Sequence, residues 1–215
     1  MSGLIYKDLL AFVRKTHKIT WIMEFGFFLL FIIGIKNPIS VFTFCLLVVP
    51  VSSSGMATTM KELDINCNAG RFNLTLPFSH RELVLSRFLS AFSGHILYAF
   101  ELLTFSIVRY FVHGDFPFTT YLVICGAGVL IGICMTALNL LASFSASLNT
   151  SAILYLVIIA VSMAIYLIAL FAGLDIETLM QLGASFVLVS GTALTAAITL
   201  ISYFLSVKIY IKKLG

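Results

Sequence analysis

Six long apolar runs separated by short polar segments constrain the fold of this chain more than any other feature. A helix needs about 20 apolar residues to cross a bilayer, and each run comes close to or exceeds that length. A spanning segment must satisfy its own backbone hydrogen bonds, which here means a helix. We therefore predict an all-α integral membrane protein with six transmembrane helices, forming one domain over residues 1–215. The predicted spans are 19–35, 39–57, 87–112, 118–141, 152–172 and 183–207.

The composition leaves no room for a second, soluble domain. Hydrophobic residues make up 60% of the chain and charged residues only 10%, whereas a soluble domain has about 25% charged residues. Any large aqueous catalytic unit must therefore come from another chain. The net charge of +4 does not indicate nucleic-acid binding, because the basic residues cluster at the ends of the spans.

The distribution of lysine and arginine predicts the orientation, because cytoplasmic loops carry the excess of these residues. With the N-terminus inside, the outer side holds only Lys36 and Arg109. We expect Arg109 to extend its guanidinium to the outer surface. The inner side then holds Lys7, Arg14, Lys15, Lys18, Lys61, Arg71, Arg81, Arg87, Lys208, Lys212 and Lys213. Both termini are therefore predicted to be cytoplasmic.

Residues 1–18 have the pattern of an amphipathic helix. Leu4, Leu9, Phe12 and Val13 can share one helical face, while most of the charged residues, Asp8 among them, fall largely elsewhere. This pattern predicts a helix lying in the inner membrane interface. A simple cytoplasmic extension of the first span is the alternative.

The connections between spans are unequal, and the inner loop over residues 58–86 is the largest. We expect 60–76 to form a separate short helix or turn, which Pro77 ends. Ser79 and Glu82 have the spacing of a capping box, which predicts that a new helix starts at Ser79 and runs into the third span. The outer segment 173–181 is compatible with a short helix that dips into the outer leaflet.

Sequence motifs for catalysis are missing from the chain. It has no phosphate-binding Gly-x-x-x-x-Gly-Lys-Ser/Thr loop, no His-Glu-x-x-His zinc motif and no Gly-x-Ser-x-Gly elbow. The four cysteines show no metal-ligand spacing. We therefore expect no enzyme activity, no metal site and no cofactor on this chain.

The stretch 64–89 carries a more specific signal. Residues 76–84 read Leu-Pro-Phe-Ser-His-Arg-Glu-Leu-Val, and Ser-Arg-Phe-Leu follows at 86–89. This pattern resembles the Leu-Pro-x-Ser-Arg-x-Glu-Ile-Val signature, followed by a basic residue, of bacterial ABC transporter permeases of the type 2 export family. His80 is an insertion into that signature or shifts its register. The layout of the chain is similar to the short six-span permeases of peptide-exporting systems, such as the phenol-soluble-modulin exporters.

The resemblance implies that this chain forms the membrane part of a transporter and that a separate subunit hydrolyses ATP. In such permeases the first inner loop docks on a separate ATPase subunit, which binds ATP and Mg. Lys61, Glu62, Asp64 and Arg71 would be the contact candidates here, while Arg81 and Glu82 more plausibly cap the third span. Because six spans are few for a complete pathway, we also expect a pair of permeases in the bacterial plasma membrane, made of two copies of this chain or of this chain and a homologue. The cargo exported would be hydrophobic or amphipathic, such as a peptide, for secretion or for self-protection against an antimicrobial peptide.

Glu101 lies near the middle of the third predicted span. An ionised carboxylate there costs about 2.5–3.5 kcal/mol on insertion scales, so it should face protein or water rather than lipid. It could line a pathway and meet a cationic substrate or a proton, or it could join helices through hydrogen bonds. An ion-coupled transporter or channel that uses Glu101 is the alternative to an ATP-driven exporter. For Glu24, near the start of the first span, we expect a salt bridge at the cytoplasmic end.

Overall fold

The computed structural model describes residues 2–15, 18–66, 78–145, 147–171 and 183–214, and every regular element in these ranges is helical. We number seven helical stretches in chain order. α1 is Ser2–Lys15, and α2 is Lys18–Leu29 with a π-helical last turn, Leu30–Gly34. α3 is Ile39–Asn66. The remaining helices are α4 (His80–Val112), α5 (Phe118–Ser145), α6 (Leu148–Phe171) and α7 (Ala184–Leu214).

Five of these helices, α3 to α7, are long and apolar enough to cross a membrane. The apolar part of α2, Ile22–Gly34, is shorter, roughly 20 Å at 1.5 Å per residue. It corresponds to the first predicted span. The structure thus gives a multi-pass helical membrane protein with five full-length spans and one shorter apolar helix among the described residues, where the sequence predicted six full spans.

The inner loop is shorter than predicted because its two ends are helical. α3 continues from its apolar part through the helix Met56–Asn66, and α4 begins at His80. Met56 and Met60, one turn apart, are both buried and pack on Phe12 of α1, so the buried face of α3 persists beyond the predicted end of the span. The first part of the short helix predicted over 60–76 is thus helical, but its helix begins earlier, at Met56, directly after a turn residue at Gly55. Residues 67–77 lie outside the described ranges, as does the predicted outer helix at 173–181.

The core lies where α2, α3, α4 and α5 meet. The rings of Phe44 and Phe105 stack with centroids 4.1 Å apart, and Tyr121 is fully buried beside them. Glycine allows α5 to approach α3 closely, because a Cβ on Gly128 would lie 2.3 Å from the carbonyl oxygen of Cys45. Gly132, one turn further along α5, likewise lies against Ser53 of α3, as expected where small residues let two membrane helices approach closely.

α6 and α7 form the periphery of the bundle. Most of their large apolar side chains are exposed on the isolated chain. Two tyrosines attach α6 to α3: Tyr155 donates to the carbonyl oxygen of Val51 at 2.8 Å, and the Tyr166 and Thr43 hydroxyls are 2.8 Å apart. An apolar surface of this kind suits contact with lipid.

The bundle has two chemically different ends. At one end, Lys61 of α3 donates to the Ser147 carbonyl before α6 at 3.1 Å, and Tyr210 of α7 packs on His80 of α4 and Phe144 of α5. α1 lies at the same end, because it packs on the last part of α3. We call this the basic end, since it corresponds to the side that the lysine and arginine count assigns to the cytoplasm. The opposite end holds the α2–α3 and α4–α5 turns.

Candidate functional site

An ionic cluster at the basic end joins three separate helices. Arg87 of α4 places Nη1 2.9 Å from Oδ1 of Asp8 on α1, and its Nη2 binds both carboxylate oxygens of Asp64 on α3. Ser90, one turn along α4, donates to Asp8 at 3.3 Å. We call Asp8, Asp64, Arg87 and Ser90 the Arg87 cluster. It ties α1 to the α3–α4 connection.

The position of Asp8 on the buried face of α1 follows from its helical spacing. Leu4, Asp8 and Phe12 are four residues apart and face the bundle together, each less than one-tenth exposed. The expectation that Asp8 falls away from the apolar face is therefore wrong, because Arg87 provides a buried partner far along the sequence. Burial raises the pKa of the Asp8 carboxyl, and the nearby Arg87 guanidinium partly opposes this shift.

The residues predicted to contact an ATPase have different surroundings. Asp64 belongs to the Arg87 cluster, and Lys61 donates to the Ser147 carbonyl. Glu62 lies half-buried on the same helix. Arg71 lies outside the described residues. Lys61 and Asp64 thus make contacts within the chain, and a role of any of the four in partner binding stays a prediction.

The start of α4 has the geometry of a capping box. Ser79 is in an extended conformation, its Oγ accepts from the Glu82 amide at 3.3 Å, and its own amide donates to the Glu82 carboxylate at 2.8 Å. Arg81, in the first turn, is exposed. Pro77 lies outside the described residues. The capping box fixes where α4 begins and leaves Arg81 at the surface of the basic end.

A cavity of about 410 Å³ lies between α2 and α4. Glu24 of α2 and Glu101 of α4 both line it, and Phe12 of α1 contributes to its wall. The other lining residues are Phe25, Phe28, Leu97, Tyr98, Phe100 and Thr104. Two carboxylates thus share a pocket whose walls are almost entirely apolar.

Neither carboxylate has a hydrogen bond or an ion pair with a side chain in the described part of the chain. The salt bridge expected for Glu24 at the cytoplasmic end is therefore not among the described contacts. Glu101 is half-buried and lines the cavity. Glu24 and Glu101 lie on different predicted spans, far apart in the sequence. Their pairing could have been suspected because both are acidic residues within apolar runs.

A second arginine organises the opposite end of the bundle. Arg109 of α4 is completely buried and binds the Asp115 carboxylate through Nε at 3.1 Å and Nη2 at 2.9 Å. Its guanidinium also donates to the backbone carbonyls of Phe31, Ile32, Ile35 and Asn37. We call Arg109, these carbonyls and Asp115 the Arg109 cluster. The prediction that Arg109 extends to the surface is wrong, because the carbonyls at the end of α2 need donors.

Five long apolar helices among the described residues are the architecture of a multi-pass membrane protein, and two carboxylates line a cavity beside them. A family model described as ABC-2 family transporter protein matches residues 3–211, so the chain belongs to that family. No curated protein and no solved structure is significantly similar to it. The chain is thus a permease of an ABC transporter, a membrane component that works with an ATPase subunit and is generally not itself an enzyme. The family does not favour the ion-coupled alternative.

Proposed function

We propose that this chain is the transmembrane subunit of an ATP-driven exporter in the bacterial plasma membrane. Two permease subunits, identical or homologous, would work with ATPase subunits that carry the ATP and Mg. The cargo would be hydrophobic or amphipathic, with peptides as the first class to test. The observation that carries the proposal is the family match, which extends over residues 3–211 and so includes all seven helices.

The basic end supports the position proposed for the ATPase contact. α3 and α4 both extend to this end and are joined by 67–77, within the loop for which the sequence predicts docking. Ile65, just before that connection, is half-exposed, and Arg81, just after it, is also exposed. A partner seated on 67–77 would therefore contact the ends of two membrane helices.

The Arg87 cluster offers a route by which movement of the connection could reach the membrane. Because Arg87 binds Asp64 and Asp8, a displacement of the α3–α4 connection would also displace α1. α1 in turn contributes Phe12 to the cavity that holds Glu24 and Glu101. Contact with an ATPase would thus be linked to the wall of the cavity through three helices.

Site-specific photo-crosslinking tests the proposed contact. A photo-reactive amino acid at Ile65 or Arg81 should crosslink to an ATPase subunit in native membranes, identified by mass spectrometry and by its nucleotide hydrolysis. Phe111, 80% exposed near the opposite end of α4, is the matched control and should give no ATPase adduct. Equal labelling from Phe111, or none from Ile65 and Arg81 in a chain that reaches the membrane, would contradict the proposal.

A loop replacement separates contact from folding. Residues 67–77 should be exchanged for a neutral Gly/Ser linker of equal length, leaving Asp64 and the Arg87 cluster intact. We expect the permease to fold normally, as judged by its thermal unfolding midpoint, but to be recovered without the ATPase in mild detergent. Recovery of a stoichiometric ATPase with the linker variant would show that another surface holds the partner.

A further inference from the structure

The cavity between α2 and α4 combines two features that seldom occur together. It contains two carboxylates, Glu24 and Glu101, and its walls carry the aromatic rings of Phe12, Phe25, Phe28, Tyr98 and Phe100. Its volume of about 410 Å³ falls within the range of pockets that hold small ligands. Both carboxylates lie within apolar helices, Glu24 in Ile22–Gly34 and Glu101 in His80–Val112.

The two carboxyl groups of this cavity have no basic partner within the described chain. No described lysine, arginine or histidine side chain lies within ion-pair distance of Glu24 or Glu101. Charged groups inside a membrane are costly and normally face a partner charge, protein or a water-filled cavity. The arrangement is therefore complementary to a cation that comes from outside the chain.

The walls restrict what kind of cation fits. A small hydrated metal ion would need several more oxygen ligands, and the lining offers mainly hydrocarbon and aromatic surface. Organic ammonium groups, by contrast, are attracted to the faces of aromatic rings. Phe25 and Phe100 at the rim are 63% and 71% exposed, so the cavity is open at the side of the chain. An apolar tail could extend through that opening along the membrane.

We propose that the cavity binds the cationic group of an amphiphile, with Glu24 and Glu101 as counter-charges and the aromatic rings around its apolar part. Ligands of this class carry an ammonium or guanidinium group on an apolar body, as a basic amphipathic peptide does. That this ligand is the cargo rests on the function proposed above. The binding site itself does not, because it follows from the cavity of this chain alone.

Binding to the full chain in phosphatidylcholine nanodiscs tests the site. The probe is radiolabelled dodecyltrimethylammonium, with empty nanodiscs as the reference for partitioning into lipid. Tetramethylammonium carries the charge without the tail, and dodecyl sulfate carries the tail with the opposite charge. We expect saturable binding of the probe, weak competition by tetramethylammonium, and none by dodecyl sulfate at concentrations that leave the protein folded.

Isosteric variants assign the binding to the two carboxylates. Glu24→Gln and Glu101→Gln should each weaken binding about tenfold, the loss expected for one charge-assisted contact, and the double variant should show no saturable binding. Glu82→Gln is the matched control, because it removes one carboxylate outside the cavity while glutamine preserves the capping box. Undiminished binding by the double variant, or equal competition by dodecyl sulfate, would overturn the proposal.

A steric variant covers the case in which loss of a carboxylate disturbs folding. Leu97 lines the cavity and is half-exposed, so Leu97→Trp should fill the space with both glutamates in place and abolish probe binding. Unchanged binding would again contradict the site. Failure of the site and failure of the proposed function can be distinguished. If the chain binds the probe but is recovered without an ATPase, the binding site is supported and the proposed function is contradicted. If the chain is recovered with an ATPase but does not bind the probe, the function is supported and the site is contradicted.

Discussion

Two arginines on the same helix organise the two ends of this bundle in different ways. Arg87 and Arg109 lie about 33 Å apart along α4 at 1.5 Å per residue, close to the thickness of a hydrocarbon core. Their spacing places both on nearly the same side of the helix, toward the other helices. Arg109 is completely buried, while Arg87 keeps 12% of its side-chain surface exposed.

Their partners are the main difference. Arg109 binds backbone carbonyls at the end of α2 and one carboxylate, Asp115, only six residues further along the chain. Arg87 binds two side-chain carboxylates, Asp8 and Asp64, which belong to two other helices. Backbone carbonyls cannot move unless their helix moves. Side-chain carboxylates can change rotamer, and the two helices that carry Asp8 and Asp64 can move independently of each other.

This difference suggests different mechanical roles for the two ends. The Arg109 cluster joins α2 to α4 by groups that are fixed in the backbone, so it should behave as a rigid joint. The Arg87 cluster joins α1, α3 and α4 through side chains that water can reach by a small movement. Under the function proposed above, the Arg87 cluster with its movable side chains lies at the end that the ATPase would drive.

The largest effect is expected for Arg109→Ala. The substitution leaves a largely buried Asp115 carboxylate, 13% exposed, and several carbonyls at the end of α2 without the guanidinium that serves them all. Breaking a buried ion pair in this way costs about 3–5 kcal/mol. We expect little folded protein, measured as the monodisperse fraction in size-exclusion chromatography and as the thermal unfolding midpoint in nanodiscs.

Arg109→Lys is the informative control. Lysine keeps the charge but has three donors on one atom, so it cannot serve Asp115 and the α2 carbonyls together as the planar guanidinium does. We expect it to recover only a small part of the stability. A lysine variant as stable as the wild type would mean that charge alone matters here, and that the two arginines differ less than their contacts imply.

Arg87→Ala should have a smaller and more local effect. Asp64 loses Arg87, and Asp8 keeps its longer ion pair with Lys7 at 3.7 Å. Because α1 can undock so that Asp8 reaches water, we expect a cost of about 1–3 kcal/mol. Hydrogen exchange should show faster exchange in α1 and unchanged exchange in the core around Phe44 and Phe105. Asp64→Asn is the milder comparison, because Asp64 is 30% exposed. If hydrogen exchange rises as much in the core as in α1, the Arg87 cluster cannot open separately from the core.

The sequence predicted the fold class well, because apolar length is a local property. Five of the predicted spans correspond to long apolar helices, and the capping spacing at Ser79 and Glu82 marks the start of α4. The end of α3 could not be predicted from apolar length, since Met56 and Met60 pack on Phe12 of α1, and Met56 also lies against Gly94 of α4. Both contacts come from residues distant in sequence.

The ionic clusters were harder to predict than the spans. The positive-inside rule counts Arg87 and Arg109 as surface charges, which is the usual location of arginine at the end of a span. Their burial depends on Asp8, Asp64 and the end of α2, all distant from them in sequence. Glu101 could be singled out from its position within a span. The cavity that it shares with Glu24 required the packing of α2 against α4.

The smallest expected effect is a pH dependence of α1 docking with an unusual sign. Burial raises the pKa of Asp8 despite the opposing effect of Arg87, so the folded protein holds this proton more tightly than the unfolded chain. The contribution of Asp8 to stability is therefore complete below the ordinary aspartate pKa of about 3.9 and is lost as the pH rises through the higher folded value.

Spin labels on the exposed residues Tyr6 of α1 and Ile65 of α3 would measure the docked fraction of α1. We expect that fraction to rise as the pH falls from 7 toward 4, and to change much less in Asp8→Asn. An ordinary exposed salt bridge would respond in the opposite direction, because acid removes its carboxylate charge. Undocking on acidification of the wild type, but not of Asp8→Asn, would mean that attraction by Arg87 outweighs burial. The Arg87 cluster would then be a conventional ion pair that acid can open.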